Sequence, residues 1–255
     1  MPSPDVDIVF VLDASGSMQP CFDQLRANLE EVIQPLNGFS SRIRFGFVAQ
    51  SVGRTDSCHE YSHTSGSGFD PLDVLYGDQV SKAEKARLFT EDPARFTGWL
   101  EKIRPHGDED MLVALDVAAD FPFGPLKNTK RVIALFSDEP FEGGASGSSR
   151  NVRIPDLIKK LALRRIQLYV AIPESEASLE LASLDQADVT FVNTLDGLKD
   201  VDFSGLLRQM GKSISASSFQ AEEESVFQAA LFGQDKWINT RAVGPVTYVD
   251  KQSTS

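Results

Sequence analysis

Apolar residues along this chain gather in short runs, separated by stretches in which they recur every three or four positions. Three runs consist mainly of apolar residues, at residues 8–12, 130–136 and 166–172. Runs of this length that do not alternate with polar residues are typical of strands buried on both faces of a sheet. Residues 42–50, RIRFGFVAQ, alternate instead, which predicts a strand with one better-buried face.

The stretches between these strands carry the helical pattern. A first helix is predicted with Pro20 in its first turn and an end near Pro35 and Asn37-Gly38. A second is predicted to begin at Asp92-Pro93, with Asp92 as its N-cap. Further helices are predicted from about residue 110, from residue 155, over 178–184 and over 202–214. Strands that alternate with helices predict an α/β fold, with a doubly wound, mostly parallel central sheet and helices on both faces.

One segment fits this pattern less well. Residues 51–86 are rich in Ser, Gly, Asp and His, and we interpret them as an insertion beside the sheet edge. Within the insertion, residues 72–76 are expected to form a short strand or turn. Residues 87–90 and 189–192 are each predicted to be a short strand.

The pattern changes again after residue 214. We therefore expect one domain over residues 1–214 and a C-terminal extension over 215–255. Residues 219–238 of the extension predict an amphipathic helix, whereas residues 239–255 show no pattern. The apolar face of this helix comprises Phe219, Val226, Phe227, Ala230 and Leu231, followed by Trp237 and Ile238.

Composition narrows the possible partners and location. The chain has 255 residues and a formal net charge of −12. We expect so acidic a chain to repel nucleic-acid phosphates, so no nucleic-acid partner is predicted. Two cysteines argue against a disulfide framework, and no apolar segment is long enough to suggest a membrane span. No signal peptide precedes the first strand, so a cytoplasmic location is expected.

The candidate chemistry follows directly after the first apolar run. The segment Asp7–Met18, DIVFVLDASGSM, passes from the strand into Asp13, Ser15 and Ser17, with Gly16 to let the backbone turn. Open α/β sheets bind ligands at the carboxyl ends of their strands. A carboxylate and two hydroxyls at alternate positions there provide hard oxygen donors of the kind that Mg²⁺ prefers. The alternative is a strand-to-helix turn with capping serines.

This strand and its D-x-S-x-S ending resemble the metal-ion-dependent adhesion site of von Willebrand factor type A domains. The resemblance covers about residues 5–214 and implies that three loops meet at one end of the sheet. In the family, the third loop supplies an aspartate after a buried strand. Asp138 matches it, although the flanking sequence is S-D-E-P where the family commonly has T-D-G. The resemblance therefore implies Asp13, Ser15, Ser17 and Asp138 as ligands of Mg²⁺ or Mn²⁺, with Ca²⁺ as a further possibility.

The second loop departs from the family, which usually has a threonine there. Aligning Ala114-Leu115 with the end of the family's T-x-T-G-x-A-L pattern places Glu109 at the threonine position, and Asp108 is one residue away. One of these two acids is expected as a ligand, because some family members, among them the integrin β subunits, carry a carboxylate in this loop. The alternative is that Asp108, Glu109 and Asp110 only cap the following helix.

A third carboxylate has a consequence for function. It makes the occupied site net negative, which should raise metal affinity and lower the attraction for an acidic partner. Adhesive type A domains bind an acidic side chain of their partner as a metal ligand. The apolar face of the C-terminal helix is expected either to pack on the domain's own helices or to bind in a groove of a protein partner.

The chain also resembles bacterial intracellular type A proteins, including those grouped with tellurium-resistance loci. Phe45–Val48, the D-P opening of the second helix and the S-D-E-P loop carry this likeness. It implies a metal-dependent protein-interaction module that acts as an adaptor subunit for partner enzymes or ATPases. The alternatives are a metal-dependent hydrolase or phosphoryl-transfer enzyme and a metal-free scaffold. No G-x-S-x-G, P-loop or H-E-x-x-H motif favours the enzyme.

Overall fold

A computed structural model gives the structure of this chain. It describes residues 4–38, 40–55, 58–66, 70–104, 110–141, 152–192, 198, 201–216 and 246–249, with only the backbone described at 52–55, 58–63 and 246–249.

The described strands form one sheet in which β1 is flanked by parallel partners on both sides. The strands are β1 (Asp5–Asp13), β2 (Arg42–Thr55), β3 (Cys58–Ser65), β4 (Thr129–Phe136), β5 (Ile166–Ile172), β6 (Ala187–Val192) and β7 (Val246–Val249). Their order across the sheet is β3-β2-β1-β4-β5-β6-β7, and only β3 runs antiparallel to its neighbour. The mostly parallel sheet predicted from the sequence is therefore confirmed.

Helices cover both faces of the sheet, as predicted. They are α1 (Gln19–Leu36), α2 (Pro71–Tyr76), α3 (Lys82–Ala86), α4 (Pro93–Leu100), α5 (Met111–Ala119), α6 (Ile154–Leu163), α7 (Glu176–Ala182) and α8 (residues 203–216). Apolar residues of α1, α4 and α8 pack in the core on one face, and those of α5, α6 and α7 pack on the other. β1 supplies alternate residues to both cores, which explains its unbroken apolar run.

Two secondary-structure predictions were wrong. Residues 72–76 belong to helix α2, because Asp70 accepts a hydrogen bond from the Leu72 N–H at 2.8 Å and Pro71 occupies the first turn. Residues 87–90 do not form a strand. A capping box at Ser81 starts α3, the chain turns after that helix, and only Thr90 bridges to Phe45 in β2.

Strands also form in two segments whose sequence pattern did not predict them. β2 continues to Thr55 and pairs with β3, so the first part of the 51–86 segment is an antiparallel hairpin at the edge of the sheet. Residues 246–249, which show no sequence pattern, add β7 beside β6. The helix predicted at 219–238 lies outside the described residues. The division into residues 1–214 and 215–255, with an insertion at 51–86, likewise stays a prediction.

Candidate metal centre

Asp13 ends β1 and is fully buried. One carboxylate oxygen, Oδ1, accepts a hydrogen bond from the Ser15 backbone N–H at 2.7 Å. An aspartate that accepts from the backbone two residues ahead stabilises a turn, so Asp13 itself bends the chain out of the strand. The short 3₁₀ turn Gly16–Met18 and α1 then follow.

The two serines of the first loop lie next to each other. Ser15 Oγ and Ser17 Oγ are 3.0 Å apart, with Ser15 buried and Ser17 exposed. This separation is that of a hydrogen bond, and neighbouring oxygen ligands of Mg²⁺ also lie about 3 Å apart when the metal–oxygen distance is about 2.1 Å. The spacing of the serine pair is thus compatible with a shared Mg²⁺ as well as with a direct hydrogen bond.

The end of β4 brings the third loop to Asp13. Ser137, which follows the last residue of β4, is fully buried and donates its hydroxyl to Asp13 Oδ2 at 2.9 Å. Its neighbour Asp138 is partly exposed and close enough for its charge to act on Asp13. The structure thus brings Asp13, Ser15, Ser17 and the third loop to one end of the sheet. We call Asp13, Ser15, Ser17, Ser137 and Asp138 the acidic cup.

The second loop is described only at its end. Asp108 and Glu109 lie outside the described residues, so their placement relative to the cup stays a prediction. Asp110 is the N-cap of α5, and its Oδ1 accepts a hydrogen bond from the Val113 N–H at 3.2 Å. For Asp110, the helix-capping role considered in the sequence analysis is therefore confirmed.

Burial gives the cup its electrostatic character. The pKa of Asp13 is raised to about 6, mainly by burial and to a smaller extent by the nearby charge of Asp138, while hydrogen bonds from Ser15 and Ser137 oppose the rise. Burial also raises the pKa of the Cys21 thiol, again with contributions from Asp13 and Asp138. Two carboxylates so close together, one of them deeply buried, favour a neutralising cation. The donors are all oxygens, so the residues present fit Mg²⁺.

Two contributors to this site were missed in the sequence. Ser137 was noted only as a flanking residue, although its place before Asp138 at the end of a buried strand indicates a side chain near Asp13. Gln50 was taken as the last residue of a strand. In the structure it pairs in register with Asp13, and its backbone oxygen accepts from the Ala14 N–H at 2.9 Å.

A cavity among the described residues lies away from the cup. It measures about 370 Å³ and lies between α2, α5 and α6. Three of its charged side chains pair with each other: Lys160 Nζ lies 2.7 Å from both Asp116 Oδ1 and Asp120 Oδ2. We therefore place the candidate site at the acidic cup. Among the described residues, no three His, Cys, Asp or Glu side chains form a metal-binding group, so the described cup combines two carboxylates with hydroxyls.

Comparisons with known proteins agree with this fold. The family model for the von Willebrand factor type A domain matches residues 7–65, which run from β1 through the first loop to β3. A solved structure, the "von Willebrand factor type A from Catenulispora acidiphila", is similar with a TM-score of 0.51 and 14% identity. The match covers 84% of this chain but 43% of that one, so this chain spans less than half of its length. A comparison with curated proteins finds no match.

The sequence match and the shared fold support a von Willebrand factor type A domain protein. Domains of this family are, in general, modules for protein interaction and metal binding. Within the part of the chain that the structure describes, no helix is both long and apolar enough to cross a membrane.

Proposed function

We propose that this protein is a metal-dependent protein-interaction module that serves as an adaptor subunit in the cytoplasm. Mg²⁺ binds to Asp13, Ser15, Ser17 and Asp138, directly or through water, and Mn²⁺ is the next best ion for these oxygens. The observation that carries the proposal is the convergence of the first and third loops, joined by the Ser137–Asp13 hydrogen bond of 2.9 Å. When bound, the ion would supply positive charge and a coordination position for an oxygen ligand.

The role of this chain's residues follows from their positions. Ser15 N–H and Ser137 Oγ hold the Asp13 carboxylate in one orientation. Ser17 is exposed and Asp138 is partly exposed, so the open side of the cup is accessible to a partner. We propose a binding role rather than catalysis, because the carboxylates and hydroxyls of the cup suit a cation, and the sequence has no G-x-S-x-G, P-loop or H-E-x-x-H motif.

The experiment is thermal unfolding of the full chain with MgCl₂ and with EDTA. A ligand that binds only the folded state stabilises it by mass action, by about 2.7 kcal/mol at a hundredfold excess over Kd. Wild type should therefore melt at a higher temperature with Mg²⁺, and Asp13→Ala should not respond. Asp92→Ala is the matched control, because Asp92 caps α4 through the Ala94 N–H and does not belong to the cup.

Calorimetry with Mg²⁺ extends this test to the second loop. Glu109→Thr, or failing that Asp108→Thr, should weaken metal binding, because one negative ligand is lost. Unchanged affinity in both variants would mean that these acids serve only as helix caps. Equal stabilisation of wild type and Asp13→Ala by Mg²⁺ would overturn the metal site, and no stabilisation of either would favour the metal-free scaffold.

A capture experiment tests the interaction role. Immobilised wild-type protein should retain its partner from an extract of the source cell in Mg²⁺ and release it in EDTA. Asp13→Ala should retain nothing in either buffer. A partner that wild type retains equally well in EDTA would contradict metal-dependent binding. It would favour binding of the partner through the segment 219–238.

A further inference from the structure

Gln50 connects the end of β1 with the start of α5. It is fully buried in β2, in register with Asp13 of β1. Its backbone oxygen accepts the Ala14 N–H at 2.9 Å, and its side-chain Oε1 accepts the backbone N–H of Asp110. One residue thus holds the chain where it leaves β1 and also where it enters α5.

The orientation of the Gln50 amide follows from chemistry. The Asp110 backbone nitrogen is a donor, so only the amide oxygen of Gln50 can face it, and the NH₂ group must point away. Gln50 Nε2 is buried and has no hydrogen-bond partner among the described residues, and the same holds for Asp110 Oδ2. Unpaired buried polar groups are costly.

The anchored amide lies where the second loop ends. Asp110 is 6% exposed and caps α5 with its own side chain, so its backbone is held from two directions.

We propose that Gln50 is a positioning residue for the metal centre, a role that rests on the proposed function. Its side chain holds the start of α5 against the face of the sheet that carries Asp13, and metal binding at the cup depends on that anchor. Coupling between two events is reciprocal in free energy. If the anchor favours the metal, the metal must therefore tighten the anchor by the same factor.

The test uses the full chain and Mg²⁺ alone as the probe. Gln50→Met removes the acceptor at nearly constant volume and should weaken the calorimetric Kd for Mg²⁺ at least tenfold. Gln50→Glu keeps an oxygen for the Asp110 N–H and should bind Mg²⁺ at least as tightly as wild type. Asp92→Ala, which removes a cap on α4, should lower the melting temperature without changing the Kd. Hydrogen exchange in residues 110–114 should slow when Mg²⁺ is added to wild type, but not when it is added to Gln50→Met.

The outcomes separate this inference from the proposed function. If wild type binds no Mg²⁺, both are overturned. If wild type binds Mg²⁺ and Gln50→Met binds it equally well, only the positioning role is overturned and Gln50 is structural. A weaker Kd in Gln50→Met, without magnesium-dependent exchange at residues 110–114 in wild type, also overturns the coupling.

Discussion

At the scale of single residues, Asp13 shows the conflict between stability and binding most clearly. Its carboxylate is fully buried at the end of β1 and receives hydrogen bonds from Ser15 and Ser137, but no cationic side chain is paired with it among the described residues. A buried charge with only partial compensation lowers the stability of the folded state. Such a cost is expected where a site is prepared for a ligand rather than for the fold.

Replacing Asp13 by asparagine should therefore stabilise the protein in EDTA. The pKa of Asp13 is raised from 3.8 to about 6, so the ionised form costs about 3 kcal/mol at pH 7. The asparagine side chain would keep the acceptor for the Ser15 N–H. Its NH₂ could donate to Ser137, whose hydroxyl also lies 3.0 Å from the Glu139 carbonyl oxygen and can donate there instead. Urea unfolding at pH 7 should show a higher unfolding free energy for Asp13→Asn than for wild type.

The sign of the pH dependence provides the control. A carboxyl group whose pKa is raised by folding does not destabilise the folded state at a pH below its unfolded pKa. As the pH rises from the unfolded pKa to the folded pKa, the free energy of unfolding falls. In EDTA the free energy of unfolding of the wild type should thus fall as the pH rises from about 4 to about 6. The higher stability of Asp13→Asn should disappear when the pH is lowered to about 4. Mg²⁺ should restore the wild type alone. A less stable Asp13→Asn at pH 7 would show that the charge of Asp13 supports the fold.

At the scale of elements, β1 carries a buried acid near each end, and the two acids differ. Asp7 accepts from Arg44 at 2.7 and 2.6 Å and from the Gly124 N–H at 2.7 Å, so its charge is fully compensated. These bonds join β1, β2 and the turn before β4. Asp13 has no such cationic partner among the described residues. The contrast assigns a structural role to the amino end of β1 and a binding role to its carboxyl end.

Arg44→Met should therefore be among the more destabilising substitutions in the chain. Removing one partner of a buried ion pair leaves an uncompensated charge, which typically costs about 3–5 kcal/mol. The loss should appear in urea unfolding, while the change in melting temperature caused by Mg²⁺ should stay that of wild type. Arg42→Met is the matched control, because the Arg42–Asp5 pair is 40% and 23% exposed and should contribute about 1 kcal/mol or less. Equal losses in both variants would contradict this distinction.

The elements also show what can be predicted from this sequence. The predicted bounds of β1, α1 and β5 lie close to the observed ones, because an uninterrupted apolar run or a one-sided apolar face specifies each element locally. α2 and α3 were missed because they are short, and their caps at Asp70 and Ser81 are the main signal. β7 has no local signal at all, since its strand state depends on pairing with β6. In the site, Asp13 and Asp138 follow from strand ends, whereas the reach of Gln50 to Asp110 spans 60 positions and needs the folded chain.

At the scale of the whole molecule, the acidic cup and the C-terminal strand lie in different parts of the sheet. β7 is separated from β1 by β4, β5 and β6. With neighbouring strands about 4.8 Å apart, that distance is roughly 19 Å. Residues 246–249 of the extension thus pair with the edge of the sheet, well away from the proposed metal. Metal binding and docking of the tail should be separable.

Truncation after residue 216 should lower the melting temperature and promote self-association. Without β7, the edge of the sheet at this side becomes β6, whose sequence ADVTFV is mostly apolar. An uncovered apolar edge strand offers unpaired backbone groups to another chain. Unfolding scans and size-exclusion chromatography at several protein concentrations would measure both effects, while the stabilisation by Mg²⁺ should persist. A truncated protein that stays monomeric and equally stable, but loses its partner, would assign the tail to partner binding.

Two single substitutions in the full chain provide a sharper version of this test. Successive residues of a strand direct their N–H groups to opposite sides, so only one of Thr247 and Tyr248 can donate to β6. Proline removes that donor and is tolerated at an edge only where the N–H faces away from the sheet. One of Thr247→Pro and Tyr248→Pro should therefore reproduce the lower melting temperature and the self-association of the truncated chain, and the other should behave like wild type. If both variants behave like wild type, the pairing of β7 with β6 neither protects this edge of the sheet nor stabilises the domain.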